Sequence, residues 1–557
     1  MIFAKTHPLR AVWLTAALML VLLSAACGPR ADAAVEAVPQ AQERFSSLRV
    51  AAPDCSYGGS FQVIEALDEH TVHIRLCSPE PAFLEKIAVP VFSILDSEYI
   101  DDKIGSSELI SLKPSGSGPY RLVERSRGRS VRLEKNPTYW GVPPRLDTIT
   151  LTWQTSGNDR YRALTGHSVD LADQPDPADY SLIASEDAIR MVERPPLNLI
   201  YIGMKSNFRP FNDADIRRAL ALALDRQNIT LQLLPPGSLV AEQVVPSSVQ
   251  PGYSRDVFWY EYLPVQSKTL LDVLQFDYNT VLTLAYSSEP MTYLANPQAV
   301  ALAIQEDLTA VGVKVELQPM PLKEFKQAVA SGEVPFYLDE LQAEFADAAA
   351  FYNPLFLDPT RFLGDPDGDL QAAVRNASNN PDPEARQAAY DLANQLLYRK
   401  VSIIPIAHGG SAMIFRNVVE NVLPGPMNEN FVEMSSISDT LAFSQTGEPL
   451  SLWPGDEEDL NSWRVGQLLY DTLVRYEYGT TRIVPSLAES WESNADKTDW
   501  IFNLRYDVVF HDGRTLDAND VVASFATLWD ASNPYHIGRT GKFAVFKRFF
   551  GNFVELD

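Results

Sequence analysis

The sequence predicts an α/β protein whose mixed or parallel sheets are covered by helices, in a chain that divides into two or more domains. Three observations carry that prediction. The 557 residues are 46% hydrophobic, and a core of that extent usually divides. Residues 281–317 run strand, helix, strand, the rhythm of a sheet with helical cover. Elsewhere, period-two alternation and helical spacing take turns along the chain.

Residues 71–76 place Val72, Ile74 and Leu76 on one face of a strand. Strands follow over 118–122 and 130–133, and Asn136-Pro-Thr-Tyr-Trp-Gly141 closes the unit with turn formers and two aromatics expected to pack a loop onto the core. Residues 213–229 read as one helix that covers a sheet. Ile216, Ala219, Leu220, Ala223 and Leu224 share a face, Asn212 or Asp213 caps the start, and Arg217 and Arg218 are expected to point outward. The βαβ unit has a strand at 281–286, a helix at 297–311 stopped by Gly312, and a strand at 313–317. A helix over 381–398 is followed by a short buried strand at 403–406.

From Thr440 the pattern becomes that of a fresh N-terminus. Leu441 and Phe443 start a strand, 461–474 forms a helix carrying Val465, Leu468, Leu469 and Leu473, and 500–504 alternates again. His511-Asp-Gly513 is a tight turn in which Gly513 supplies a positive φ and His511 is a turn residue. Asp517 is placed to cap a helix over 517–528.

The formal charge of −26, from 46 Lys and Arg against 72 Asp and Glu, repels phosphates and leaves no basic stripe, so nucleic acid is not an expected partner. An acidic ligand in a locally basic pocket stays compatible with that sign. The chain lacks a Gly-x-Ser-x-Gly elbow, a Walker loop and a His-Glu-x-x-His helix, so no enzyme is expected. Three cysteines and seven histidines at these spacings make no metal cluster, and no cofactor is expected.

Residues 1–26 have the build of an export signal: Lys5 and Arg10, an apolar run over 11–23, then Ser24, Ala25 and Ala26 before Cys27. The run is shorter than the roughly 20 residues of a membrane span. Cys27 after small residues resembles a bacterial lipoprotein signal, which implies a lipid on its sulfur and membrane attachment; plain secretion with a free cysteine is the alternative. Residues 27–53, rich in Ala, Glu, Gln and Pro up to about residue 47, suit a tether. Cys55 and Cys77 form either a disulfide or two separate thiols, since spacing alone does not show that they meet.

The motifs Leu469-Tyr-Asp-Thr-Leu473, Pro485-Ser-Leu-Ala-Glu-Ser-Trp491, Phe502-Asn-Leu-Arg505, Val509-Phe-His-Asp-Gly513, Asp520-Val-Val-Ala-Ser-Phe525, Gly116-Ser-Gly-Pro-Tyr120, Asn136-Pro-Thr-Tyr-Trp140 and Ile216-Arg-Arg-Ala-Leu220 together resemble the peptide and nickel class of bacterial ABC-transporter solute-binding proteins, family 5. The resemblance implies a two-lobed periplasmic-binding-protein-like α/β fold of the large type II kind, with mixed sheets and a hinge, that closes on a peptide and delivers it to permease subunits. It implies alternative ligands too: an oligosaccharide or a nickel or other metal complex on the same fold. A surface scaffold or a glycosidase is a more distant alternative. In the family the His-Asp-Gly motif precedes the Gly-Pro-Tyr motif. Here the order is reversed, which implies a circular permutation, with a fusion of two fragments as the competing reading.

On that basis residues 54–240 form the first part of a large lobe, 241–400 the second lobe, 401–439 the return and the join of the old termini, and 440–557 the large-lobe segment that matches the family's beginning. A monomer is expected. The stretch Leu341-Gln-Ala-Glu-Phe-Ala-Asp347 resembles the family's Trp-x-Ala-Asp-Tyr-x-Asp pattern, whose last acid pairs with a ligand ammonium, so Asp347 is the leading ligand-binding candidate against a helix-capping or surface acid. Leu341 replaces the indole of that pattern. Glu458 is a second candidate, against a solvated acid, and Phe345 and Trp463 are candidate pocket walls, against core packing.

Overall fold

In the computed structural model, residues 45–101, 112–357, 363 and 368–556 are described. The expected signal at 1–26, Cys27 and most of the tether lie outside them. Among the described residues, no helix is long and apolar enough to cross a membrane.

Three large mixed or antiparallel sheets, with helices against them, build two lobes. The first lobe holds a five-stranded antiparallel sheet in the order Arg49–Ala51, Phe61–Asp68, Thr71–Leu76, Asp499–Leu504, Ala488–Ser493. It also holds a seven-stranded mixed sheet in the order Tyr120–Ser126, Ser130–Lys135, Thr148–Trp153, Thr440–Gln445, Leu171–Asp173, Ser411–Arg416, Ile189–Arg194. The late strand Thr440–Gln445 sits in the middle of this sheet, parallel to both neighbours. The second lobe is built on a six-stranded mixed sheet, Leu239–Val240, Ile403–His408, Asn198–Met204, Phe336–Gln342, Val281–Ser287, Lys314–Met320.

Side-chain periodicity explains these elements. In Thr71–Leu76 the residues Val72, Ile74 and Leu76 are buried while Arg75 is exposed. The predicted βαβ unit forms as Val281–Ser287, Pro297–Ala310 and Lys314–Met320, with its strands parallel in register from Val281 with Lys314. Gly312, at φ +92°, makes the helix-to-strand turn that a Cβ would strain. Asp517 caps Ala518–Trp529 in a capping box with Asp520. The buried face of that helix carries Phe525 and Trp529 against Phe61, at ring distances of 5.9 and 5.7 Å. Each such ring contributes about 1.5–3 kcal/mol by leaving water.

Two local expectations differ from the structure. Residues 213–229 are not one helix: Ala214–Leu222 ends, and Asp225 caps a second helix, Arg226–Leu233, by accepting from the Asn228 N–H. Arg217 does not point outward. It is buried, and its guanidinium donates to the carbonyls of Phe211, Lys400 and Val401, so it covers the open C-terminal end of helix Pro383–Lys400.

The chain passes between lobes at two places. It leaves the seven-stranded sheet after Arg194 and enters the six-stranded sheet at Asn198; it returns through Gly409 and Gly410 between Ile403–His408 and Ser411–Arg416. Both crossings therefore fall off the boundaries expected at 240/241 and 400/401. The two segments are clipped together: Asn198 Nδ2 donates to Gly409 O at 2.8 Å, Gly409 N donates to Asn198 Oδ1 at 2.6 Å, and His408 Nδ1 donates to Asn198 O at 2.7 Å. Glycine is needed on the return segment, since a Cβ on Gly409 would lie 2.7 Å from Tyr293 Cβ and one on Gly410 2.4 Å from the Pro236 carbonyl oxygen. At the first-lobe end, Asp173 and Glu429 each take both Arg194 and Arg464 at 2.6–3.0 Å. Burial opposes ionisation of Asp173, yet the two guanidinium groups hold its pKa down to about 2.

The late segment is joined to the early one throughout. The Ser60 N–H donates to Phe550 O at 2.7 Å, and Gly59 bridges Gly551. The His511 turn docks on the Gly116-Ser-Gly118 loop: His511 N donates to Gly116 O at 2.8 Å, and His511 Nε2 lies 3.1 Å from Gly118 O. Asp471 collects Ser117 Oγ and Trp140 Nε1, each at 3.0 Å. Cys55 and Cys77 are joined by a disulfide, with Cα atoms 5.6 Å apart.

Candidate functional site

A cavity of about 740 Å³ opens between the lobes. The second lobe supplies the strand Phe336–Gln342 and the turn that follows it, from Asp339 to Phe345, with Ala349, Ala350 and Asn353 beyond. The first lobe supplies Lys86, Met427, Glu458, Trp463, Arg548 and Phe549.

The late-segment wall is fixed by its own hydrogen bonds. Asp459 caps helix Leu460–Leu469, which carries Trp463, and the indole donates to Glu457 O at 2.9 Å. Upstream, Asp456 accepts from the N–H groups of Gly541 and Phe543 at 2.8 and 2.7 Å, and Glu457 pairs with Arg539 at 2.7 Å. Glu458 is thus presented from a rigid loop.

Across the cleft, the turn after the strand meets the first lobe at several points. The Phe345 ring packs edge-on to Phe549 with centroids 4.9 Å apart. The Ala346 N–H donates to Tyr476 Oη at 3.0 Å, and that hydroxyl donates to Glu85 O at 2.7 Å. Arg548 spans the lobes, with Nε 2.9 Å from Glu344 and Nη1 2.7 Å from Glu458. Deeper in the wall, Lys326 pairs with Asp339 at 2.6 Å. Glu340 accepts from the N–H groups of Thr292, Tyr293 and Leu294 at 2.8–2.9 Å, while its burial raises its pKa.

Of the four residues singled out from sequence, Phe345, Glu458 and Trp463 line this cavity and Asp347 does not. Asp347 lies behind the turn, 4% exposed, in a bidentate pair with Arg386: Oδ1 accepts from Nη2 at 2.7 Å and Oδ2 from Nη1 at 2.8 Å. Oδ1 also takes the Ala349 N–H at 2.8 Å, which starts the short helix Ala349–Tyr352. Nearby, burial first and the Asp347 charge second push the Glu85 carboxyl up to about 7. Leu341, at the position of the family's indole, lines the wall.

Arg548, Glu344, Lys86 and Lys326 also line the cavity but were not foreseen as site residues. Arg548 precedes an aromatic pair, Phe549-Phe550, that reads as core, and nothing in its local pattern marks it. Among the described residues, no group of three or more His, Cys, Asp or Glu side chains is placed to hold a metal ion.

A two-lobed α/β fold with a clipped pair of crossings and a cavity between the lobes defines a solute-binding protein. The profile described as bacterial extracellular solute-binding proteins, family 5 Middle, matches residues 36–361 and 482–545. The chain belongs to that family. It is 25% identical over 402 residues to the dipeptide-binding protein of Escherichia coli K12, spanning 68% of this chain and 74% of that one. Among solved structures, HbpA2 from Haemophilus parasuis has a TM-score of 0.61 at 25% identity, covering 68% of this chain and 76% of its own. The dipeptide-binding protein of Pseudoalteromonas sp. SM9913 in complex with Met-Leu has a TM-score of 0.56 at 22% identity, with coverages of 68% and 76%. Membership makes this a non-enzymatic, extracytoplasmic transport protein that works with ABC-transporter membrane components.

Proposed function

We propose that this protein is the substrate-binding component of an ABC importer and captures peptides by closure of its two lobes. The observation that carries the reading is the position of strand Phe336–Gln342 in the cavity wall. One edge pairs along its whole length with Asn198–Met204, while the other meets Val281–Ser287 only at Tyr337 with Ala285. The cavity-lining part, from Asp339 onward, thus presents extended backbone beside the space, which favours a ligand that is itself an extended chain. Phe345 and Trp463 provide apolar walls for side chains, and Glu458 a polar rim. Asp347 acts through the turn that presents Phe345. The relatives named for dipeptides support the same class of ligand.

Calorimetric titration with a mixed peptide pool tests this. Saturable binding is expected, and it should weaken at least about tenfold when Trp463 is replaced by Ala. Binding of an oligosaccharide or metal complex with no response to any peptide would reject it.

The late segment is read as a permuted beginning of the first lobe. Its strands and turn lie against the early segment within one chain, Gly551 beside Gly59 and His511 beside Gly116, and the family profile matches in two separate stretches. A chain with residue 556 joined through a flexible linker to residue 46, so that strand Arg49–Ala51 is kept, and with new ends opened between 432 and 440 should fold with a similar melting temperature; failure to fold would reject the reading. The lobes join through the crossings after Arg194 and at Gly409–Gly410, the protein acts as a monomer, and a lipid on Cys27 anchors it. Replacing Cys27 by Ala should abolish radiolabelled palmitate incorporation and release the protein from membranes.

A further inference from the structure

Seven acidic or basic side chains line the cavity, and each has a partner within the protein. Lys86 pairs with Glu80 and donates to Phe549 O at 3.0 Å. Lys326 and Asp339 neutralise each other at 2.6 Å. Both oxygens of Glu340 are taken by backbone N–H groups. Arg548 answers both Glu344 and Glu458. Immediately behind the wall, Asp347 is closed off by Arg386, itself 4% exposed and held by a third bond from Nε to Ala377 O at 2.9 Å.

We propose, building on the peptide reading, that this cavity recognises its ligand without using the ligand's terminal charges. The ligand class is extended peptides held by backbone hydrogen bonds and apolar side chains, and it includes peptides whose two ends are blocked.

The physical reason is exchange. A ligand ammonium reaches Asp347 only by evicting Arg386, which leaves a buried guanidinium without its carboxylate and replaces a bidentate pair by a simpler one. A ligand carboxylate reaches Arg548 only by displacing Glu344 or Glu458, so one ion pair replaces another of the same kind at a partly solvated rim. Neither exchange adds an interaction. The backbone beyond Glu340, whose own N–H is taken by Asp339, and the exposed rims of the Phe345, Phe549 and Trp463 rings, by contrast, meet a ligand without breaking an ion pair.

The test uses the whole protein and one tetrapeptide pool in two forms, free at both ends or N-acetylated and C-amidated. Retained peptides are identified by mass spectrometry, and the strongest free and blocked pair of one sequence is titrated by calorimetry at low and high sodium chloride. The two forms should agree in Kd within about threefold, with a similarly small response to salt. A free form binding more than about tenfold tighter than its blocked counterpart overturns the inference while the peptide reading stands. Retention of neither form overturns both.

Discussion

The pair that closes off Asp347 gives the sharpest test of how the site is built. Replacing Arg386 by Met keeps a long apolar stem but removes the partner of a carboxylate that is 4% exposed, together with bonds of 2.7 and 2.8 Å to Asp347 and one of 2.9 Å to Ala377 O. Breaking a buried pair from one side costs about 3–5 kcal/mol, whereas an exposed pair is worth about 0–1 kcal/mol. Asp347→Asn makes the complementary cut, and the double variant completes a cycle. Each single change should destabilise by about 3–5 kcal/mol, and the double by clearly less than their sum, with a coupling of about 2–3 kcal/mol. Urea unfolding followed by circular dichroism gives these numbers. Limited proteolysis of the second lobe accompanies it, because two-lobed proteins need not unfold in one step. Binding supplies a second readout: with Arg386 gone, Asp347 is an unpaired acid, and free-amino peptides should gain over acetylated ones. A coupling below about 0.5 kcal/mol would refute the reasoning and leave the turn to its contacts with Phe549 and Tyr476.

Arg548→Ala removes both arms of the bridge between Glu344 and Glu458; stability should change by less than about 1 kcal/mol, yet the free protein should show a larger radius of gyration in solution scattering, and an unchanged radius rejects the bridge as a brace on the cleft. Opening the Cys55–Cys77 disulfide, which spans a sequence separation of 22, should cost about 2–4 kcal/mol, read as a lower melting temperature in reductant that Cys55→Ser reproduces and that reductant does not lower further. Burial raises the Asp471 pKa from 3.8 to about 6, so between those values the folded protein holds a proton that the unfolded chain has released. Its contribution to stability is therefore greatest at low pH and is lost as pH rises through that window, by about 3 kcal/mol in all. The difference between wild-type and Asp471→Asn unfolding profiles should show that slope, and parallel profiles would contradict it.

What the sequence revealed follows from the range of the interactions involved. The βαβ unit was legible because alternation in 281–287, an apolar helical face in 297–310 and the turn at Gly312 are each local. The caps at Asp213, Asp459 and Asp517 act within three residues of themselves; Asp213 and Asp517 were foreseen, while Asp459 was not. Arg217 was misplaced because a helical wheel treats arginine as solvent-facing, whereas this guanidinium finds its acceptors at Lys400 and Val401, far along the chain. The site divides the same way. Phe345, Glu458 and Trp463 fall in the cavity wall through their motif context, but the partner of Asp347 lies on a helix 39 positions later, with no spacing rule to connect them. Arg548 was missed for the same reason, since its two partners stand 204 and 90 positions away.

The central placement of strand Thr440–Gln445 has a consequence for the birth of the molecule. All six strands of the second lobe's main sheet lie between residues 198 and 408, so that sheet is complete on the ribosome well before synthesis ends. The seven-stranded sheet must wait with a vacant lane in its middle, the facing edges of Thr148–Trp153 and Leu171–Asp173 unpaired, and the five-stranded sheet waits longer still for residues 488–504. Domains of most chains mature from the N-terminus onward. Here the middle of the polypeptide matures first, and the early-made strand Thr71–Leu76 waits for its second neighbour, Asp499–Leu504, until near the end of synthesis, which makes the nascent first lobe the stage at which a holding chaperone has most to protect.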